Sequence, residues 1–323
     1  MFAAFLTLAL SLGMYEIFSG EDSSSHDSDN PTADPDVTQG GNTSAGTPGN
    51  DIIAGGDSAD DLFGQFGNDL IDGGNGTDMI EGDAGNDTLE GGAGDDILGG
   101  GTGNDQVTGG HGADVLFGNA GDDVIAGGTH NDILVGGNGS DTLLGGDGND
   151  TLTGGFMTDI DNTNGDNGAD VSADFFSTLK ELVETDPDFF TGRTEAEILE
   201  HPMFDGVDTD LTVMRETGAD SLSGGAGNDV LQLGAGDIGN GGLGADTFIL
   251  STNQSGNEVI VEDYNPDEDH ISFTYNAVDG PPTIAVTDDG PHAVVSIDGV
   301  DMVRVYGAAG QLDASQVLLE QFS

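Results

Sequence analysis

From Gly46 to Thr153 the chain repeats every nine residues, twelve times without a gap. Each unit reads G-x-x-G-x-D-x-U-x with U a branched aliphatic, as in Gly82-Asp83-Ala84-Gly85-Asn86-Asp87-Thr88-Leu89-Glu90. Asp holds the sixth position of every unit: Asp51, Asp60, Asp69, Asp78, Asp87, Asp96, Asp105, Asp114, Asp123, Asp132, Asp141 and Asp150. Ile, Leu or Val holds the eighth, from Ile53 and Leu62 to Leu143 and Leu152. Gly opens every unit and returns at the fourth position in all but two, where Ser58 and His130 stand. A period this short and strict lets each unit bury its apolar side only against its neighbours, which is the condition of a solenoid.

The three residues around position eight alternate outward, inward, outward and suit a very short strand. The Gly-rich residues before them suit a turn whose backbone visits positive φ and lies close to another group. That group is expected to be a hard cation. Asp at every sixth position stacks like charges along the solenoid, which is unfavourable unless something positive lies between them. With no Cys and six scattered His, the ligands are carboxylate and carbonyl oxygens, a set that favours calcium over zinc or copper.

The stretch resembles the calcium-binding nonapeptide of the RTX (haemolysin-type) family. The resemblance implies an all-β fold, a right-handed parallel β-roll with two nonapeptides per coil. It also implies an ion between each unit and the next but one. Its ligands would be the sixth-position Asp of both units, carbonyls of positions two and four of the earlier turn, and carbonyls of positions one and three of the later. Twelve units minus two gives ten such pairs, from Asp51 with Asp69 to Asp132 with Asp150. Gln65, Asp83, Asn119 and His130 are expected to strain turns that Gly would relax.

Sixty-one acidic residues face four basic ones, a formal net charge of −57. That excludes nucleic acid and anionic membrane surfaces as electrostatic partners and favours divalent cations. Calcium sites of extracellular type work at roughly 0.1–1 mM, a level the cytosol lacks. The roll is therefore expected to form in a secreted or surface-held protein.

Residues 1–20, MFAAFLTLALSLGMYEIFSG, are apolar and uncharged until Glu16. They lack the basic flank and small-residue cleavage site of a standard signal peptide. They fit a membrane-associating anchor, an atypical export signal, or a cap on the first coil. Residues 21–45 read as a polar linker, followed by the roll over 46–155. The period breaks after Gly155 and resumes in register at Gly218, so residues 156–217 read as an insertion. It holds six of the fifteen Phe and three of the four basic residues, Lys180, Arg193 and Arg215. Phe175, Phe176, Leu179, Leu182 and Val183 share one helical face, and Thr194 with Glu197 reads as a capping box opening a second helix. A small helical insertion standing on the roll is expected, either structurally neutral or partner-binding. Asp159 to Asp170 faintly echoes an EF-hand loop, and an Asx-rich turn is the competing reading.

The roll resumes over 218–248 with Asp220, Asp229 and Asp246 as further metal ligands. Pairs Asp141 with Asp220, Asp150 with Asp229 and Asp229 with Asp246 bring the expected calcium count to about ten to thirteen. The unit from Leu233 to Asn240 is eight residues long and has Ile238 where Asp belongs. From Ile249 the pattern turns to alternation, read over 249–323 as a small antiparallel β module of about five to seven strands capping the far end. Val317 to Ser323 resembles the uncleaved C-terminal export signal of the RTX family, whose secretion uses an ABC-type channel; the competing reading is a last edge strand.

No catalytic motif accompanies the roll. His111, His130, His201, His270 and His292 offer no H-E-x-x-H spacing, and G-x-S-x-G is absent. The expected function is a non-enzymatic, calcium-folded, exported protein of structural, adhesive or matrix-associated type. A calcium-dependent polysaccharide- or protein-binding module, or an export module, is the alternative.

Overall fold

The computed structural model describes residues 37–39, 43–155, 218–251, 257–276 and 281–322. These residues form strands and turns, with no helix among them, in two sheets. The first sheet runs β1 (Val37–Gln39), β3 (Ile52–Gly56), β5 (Leu70–Asn75), β7 (Thr88–Ala93), β9 (Gln106–His111), β11 (Val124–Thr129), β13 (Thr142–Asp147), β15 (Ser221–Ala226), β17 (Ile238–Leu243) and β19 (Val259–Val261). It ends with β23 (Val300–Val305), β22 (His292–Ile297) and β21 (Ile284–Asp289). The second runs β2 (Thr43–Ala45), β4 (Asp61–Phe63), β6 (Met79–Glu81), β8 (Ile97–Thr102), β10 (Val115–Ala120), β12 (Ile133–Asn138), β14 (Thr151–Thr153), β16 (Val230–Gln232), β18 (Thr247–Ser251), β20 (His270–Asn276) and β24 (Val317–Phe322).

Successive repeat strands alternate between the sheets, so two nonapeptides make one coil of a parallel β-solenoid. Register is unslipped: Ile53 pairs with Ile71, Ile71 with Leu89 and Leu89 with Val107. Each eighth-position aliphatic therefore sits on its counterpart eighteen residues later. All twelve, from Ile53 to Leu152, are at most 1% exposed and form the core between the sheets. Alternation turns positions seven and nine outward.

The roll begins earlier than the strict repeat. β1 and β2 lie in the stretch read as polar linker and pair in parallel with β3 and β4. It also runs unbroken beneath the insertion, because β13 pairs with β15 and β14 with β16 in unshifted register. Residues 156–217 themselves, with the helical reading and the Asp159 to Asp170 loop, lie outside the described residues, as do residues 1–20. No helix among the described residues is long and apolar enough to cross a membrane.

The C-terminal reading needs a correction. The alternating segments are strands, but most continue the roll rather than leaving it. β17 pairs with β19, β18 with β20, β19 with β23 and β20 with β24, all in parallel. Among the described residues, only β21, β22 and β23 form an antiparallel meander, at the edge of the first sheet, with a bulge between Val295 and Ser296. Alternation specifies which face of a strand is buried and is silent on the direction of its partner. The final segment, β24, is the edge strand of the second sheet.

The eight-residue unit is also placed differently. Leu222 pairs with Gly239, so Gly239 takes the inward position where other units carry an aliphatic. The residue missing from this unit therefore lies in the turn before Asp237, which takes the sixth position itself. A Cβ at Gly239 would lie 2.8 Å from Cδ1 of Leu233, and Leu233 is 0% exposed. Leu233 thus reaches into the core from outside the strand and fills the space Gly239 leaves.

Candidate metal centre

Every sixth-position Asp stands at the turn entering a strand, so the Asp residues fall into two columns, one per edge of the roll. Asp51, Asp69, Asp87, Asp105, Asp123, Asp141 and Asp220 precede strands of the first sheet. Asp60, Asp78, Asp96, Asp114, Asp132, Asp150, Asp229 and Asp246 precede strands of the second. All fifteen are at most 3% exposed.

Within each column the backbone N–H of one Asp donates to Oδ1 of the Asp one coil later. Asp51 donates to Asp69 and Asp69 to Asp87 at 2.7 Å, while Asp96 donates to Asp114 and Asp114 to Asp132 at 2.9 Å. The columns cross the insertion without a break, through Asp141 to Asp220 at 2.7 Å and Asp150 to Asp229 at 2.8 Å. The last sequence-derived pair, Asp229 with Asp246, is joined in the same way at 2.9 Å.

Oδ1 is thereby satisfied, except at Asp60, the first of its column, whose Oδ1 also lacks a donor; Oδ2 is not. Buried Oδ2 atoms of Asp60, Asp69, Asp87, Asp96, Asp105, Asp114, Asp123, Asp132, Asp141, Asp150 and Asp229 have no hydrogen-bond partner. A buried carboxylate oxygen without a donor costs free energy unless a cation meets it. Each points at the opening Gly of its own unit. At Gly64 an added Cβ would lie 2.5 Å from Oδ2 of Asp69 and 2.7 Å from the carbonyl oxygen of Gly82, one coil on. Gly91 repeats this with Asp96 Oδ2 at 2.6 Å and the Gly109 carbonyl oxygen at 2.8 Å. Carboxylate and carbonyl oxygens thus converge on a space that only Gly leaves open. The donor set is all oxygen, as calcium requires.

The same geometry shifts the titration of the carboxyls. Burial pushes Asp69, Asp105, Asp150 and Asp229 up to about 6, Asp87, Asp123, Asp132 and Asp141 to about 7, and Asp96 and Asp114 to about 8. The N–H donated from the preceding coil opposes the shift in each case. Neighbouring carboxylates such as Asp114 and Asp78 beside Asp96 add to it.

Sequence reasoning missed two members of the columns. Asp237 is 0% exposed and its Oδ1 accepts the N–H of Asp220 at 2.8 Å. Asp269 is 7% exposed and its Oδ1 accepts the N–H of Asp246 at 2.9 Å. Both differ from the other members at Oδ2, which accepts Gly234 N–H at 2.8 Å in Asp237 and Asn265 N–H at 2.7 Å in Asp269. Asp51, at the start of its column, likewise accepts Thr47 N–H at 2.6 Å. The available signal for Asp237 was its place four residues before Gly241-Gly242, as in the full-length units. Asp269 follows a longer turn, outside any fixed spacing.

The four residues expected to strain their turns do so: Gln65, Asp83, Asn119 and His130 have φ of 78°, 68°, 75° and 88°. Among the described residues no three His, Cys, Asp or Glu side chains gather into a cluster that could hold a metal ion. A ligand set here has to be completed by backbone oxygens. His111 Nδ1 and Thr129 Oγ1 lie 2.9 Å apart on the exposed surface.

The RTX calcium-binding nonapeptide repeat model matches residues 36–71, 72–107, 99–129, 108–143, 126–160 and 216–248. The chain belongs to the RTX calcium-binding repeat family. RTX repeats bind calcium, and the two Asp columns lie within the matched residues up to Asp246. Among solved structures, a subunit of the mannuronan C5-epimerase of Azotobacter vinelandii is 29% identical with a TM-score of 0.24; the match covers 32% of this chain and 69% of that one. The extracellular lipase of Serratia marcescens is 15% identical with a TM-score of 0.22, the match covering 89% of this chain and 40% of that one. No curated protein matches the chain.

Proposed function

We propose that this RTX protein is exported unfolded and is folded outside the cell by calcium held between adjacent coils, where it serves as a structural, adhesive or matrix component without catalysis of its own. The observation that carries the reading is the repeated pairing of a donorless Asp Oδ2 with a carbonyl oxygen over an opening Gly. In each site the Asp Oδ2 and the Gly carbonyl one coil later would hold the ion, as Asp69 with Gly82 and Asp96 with Gly109. Bound calcium supplies positive charge between stacked carboxylates, and its binding free energy is then folding free energy. The chain's own residues orient the ligands: each N–H pins Oδ1 of the next Asp and so turns Oδ2 toward the Gly.

Export follows from concentration. Sites of this kind fill at roughly 0.1–1 mM calcium, so the chain stays unfolded in the cytosol and passes a channel as an extended polymer. The resemblance of Val317 to Ser323 to the family's export signal supports that segment as the one the export machinery would engage.

The test is far-UV circular dichroism of the full chain during calcium titration. A cooperative coil-to-strand transition near millimolar calcium is expected, with magnesium a poor substitute because it demands tight octahedral geometry. Equal order in excess chelator at neutral pH would refute the reading.

A further inference from the structure

Of the six histidines in the chain, two stand in the nonapeptide block, one residue more than a full coil apart. His111 holds the third position of its unit and His130 the fourth position two units on. His111 in β9 pairs in register with Thr129 in β11, and His130 follows Thr129 directly. Thr129 therefore has one histidine a coil before it and another beside it. Its Oγ1 lies 2.9 Å from Nδ1 of His111 and 3.2 Å from Nδ1 of His130. Its carbonyl oxygen lies 2.7 Å from Nδ1 of His130 as well.

These partners fix where the protons sit. A carbonyl oxygen can only accept, so Nδ1 of His130 carries a proton and donates it to Thr129. Thr129 Oγ1 donates to the Gly110 carbonyl oxygen at 3.4 Å, which leaves it to accept from the Nδ1–H of His111. Each neutral ring then presents Nε2 as a bare lone pair. Both histidines are exposed, and neither Nε2 has a partner among the described residues. A ring N–H held by an oxygen, with the other nitrogen free, is the state in which imidazole binds a metal. The backbone is strained to give it. His130 has φ of 88° at a position that is Gly in ten of the twelve units, and strain of this kind gathers at binding sites.

We propose that His111 and His130 form a surface site for a divalent transition metal, separate from the calcium sites of the two Asp columns, with Cu2+ held more tightly than Ni2+ or Zn2+. Calcium is a hard cation and takes the oxygen sites, whereas imidazole suits copper, nickel and zinc. Two imidazoles do not close a coordination shell. No three His, Cys, Asp or Glu side chains gather to hold a metal ion among the described residues, so the other positions are left to water or to a ligand brought from outside. An open site of this kind suits reversible capture of the metal rather than a structural role. The formal net charge of −57 raises the concentration of any divalent cation around the chain.

The test titrates Cu2+ into the full chain saturated with calcium, by calorimetry and by electron paramagnetic resonance of the bound copper. One Cu2+ per chain above the weak background of exposed carboxylates is expected, with the hyperfine pattern of two ligating nitrogens and no release of calcium. Thr129→Val keeps both rings but removes the hydroxyl that orients them, and should weaken binding about tenfold. His111→Ala should weaken it further and leave one nitrogen in the pattern. His130→Asn should do the same, and Asn tolerates the left-handed backbone. His270→Ala and His292→Ala should change neither affinity nor pattern. Parental affinity in the double variant His111→Ala with His130→Asn, a pattern of one nitrogen in the parent chain, or calcium released as copper binds would overturn the proposal. Circular dichroism in calcium on the same samples shows which variants have folded, so the copper site can fail while the calcium reading stands. The nitrogen count of the parent chain decides the matter even where a variant does not fold.

Discussion

Leu233 occupies the core space that Gly239 leaves empty, its Cδ1 lying 2.8 Å from where a Gly239 Cβ would be. The short unit has lost its inward aliphatic from the strand and recovered it from the residue that directly follows the preceding strand, Val230–Gln232. The two positions should therefore be energetically coupled. Leu233→Ala is expected to cost about 2–5 kcal/mol, as for other fully buried Leu truncations. Gly239→Ala alone should cost about 1–3 kcal/mol by crowding Leu233. The double variant should cost less than the sum of the two. Urea denaturation in saturating calcium reads all three, and strict additivity would show that the two side chains do not share the space.

Members of the Asp columns should divide by what meets Oδ2. In Asp96→Asn the amide can donate toward the Gly109 carbonyl oxygen, so in chelator the variant should be more stable by about 1–3 kcal/mol. In calcium the order should invert, with an ion lost from the stoichiometry. Asp237→Asn should be less stable with or without calcium, because its amide would confront Gly234 N–H, which now donates to Oδ2. Parallel calorimetric titrations and melts of the two variants decide whether the columns end where the protein supplies its own donor.

Acid should replace calcium in part. The carboxyls of Asp96 and Asp114 are raised from an ordinary 3.8 to about 8, so the folded state holds protons more tightly than the unfolded one. Their contribution to stability is fully present below about pH 4 and is lost progressively as pH rises to about 8. In chelator, lowering pH from 8 to 5 should therefore raise strand content. In calcium, the same change should move the titration midpoint to higher calcium, as protons compete for the carboxylates. Greater order at pH 8 than at pH 5 in chelator would contradict the burial of these groups.

His130 stands at a fourth position with φ of 88°. The left-handed region costs a residue with a Cβ about 1–2 kcal/mol. His130→Gly is thus expected to stabilise the calcium-loaded roll by about 1 kcal/mol, less any loss from greater unfolded-state entropy. A thermal melt in saturating calcium measures it, and a fall in stability would mean that contacts of His130 with Thr129 outweigh the backbone strain.

Much of this molecule was legible before its structure, because its contacts repeat. Asp69 meets the residues eighteen before and after it, so one nonapeptide states the strand, the inward aliphatic, the turn and the carboxylate for the whole block. The strained turns at Gln65, Asp83, Asn119 and His130 were legible for the same reason, as departures from a rule that the neighbours obey.

What escaped lies where the period fails. The alternating segments after Ile249 told which side chains turn inward, but whether β19 and β23 pair in parallel is settled by coils stacked beneath them. Asp237 and Asp269 were hidden by an eight-residue unit and a longer turn, and only three-dimensional register placed them in the columns. Nothing in Val115 or Val124 taken singly says that one is 5% exposed and the other 45%. Periodicity is a local property that each unit carries within itself; direction of pairing and cover of a face belong to surfaces that meet only once the chain has folded.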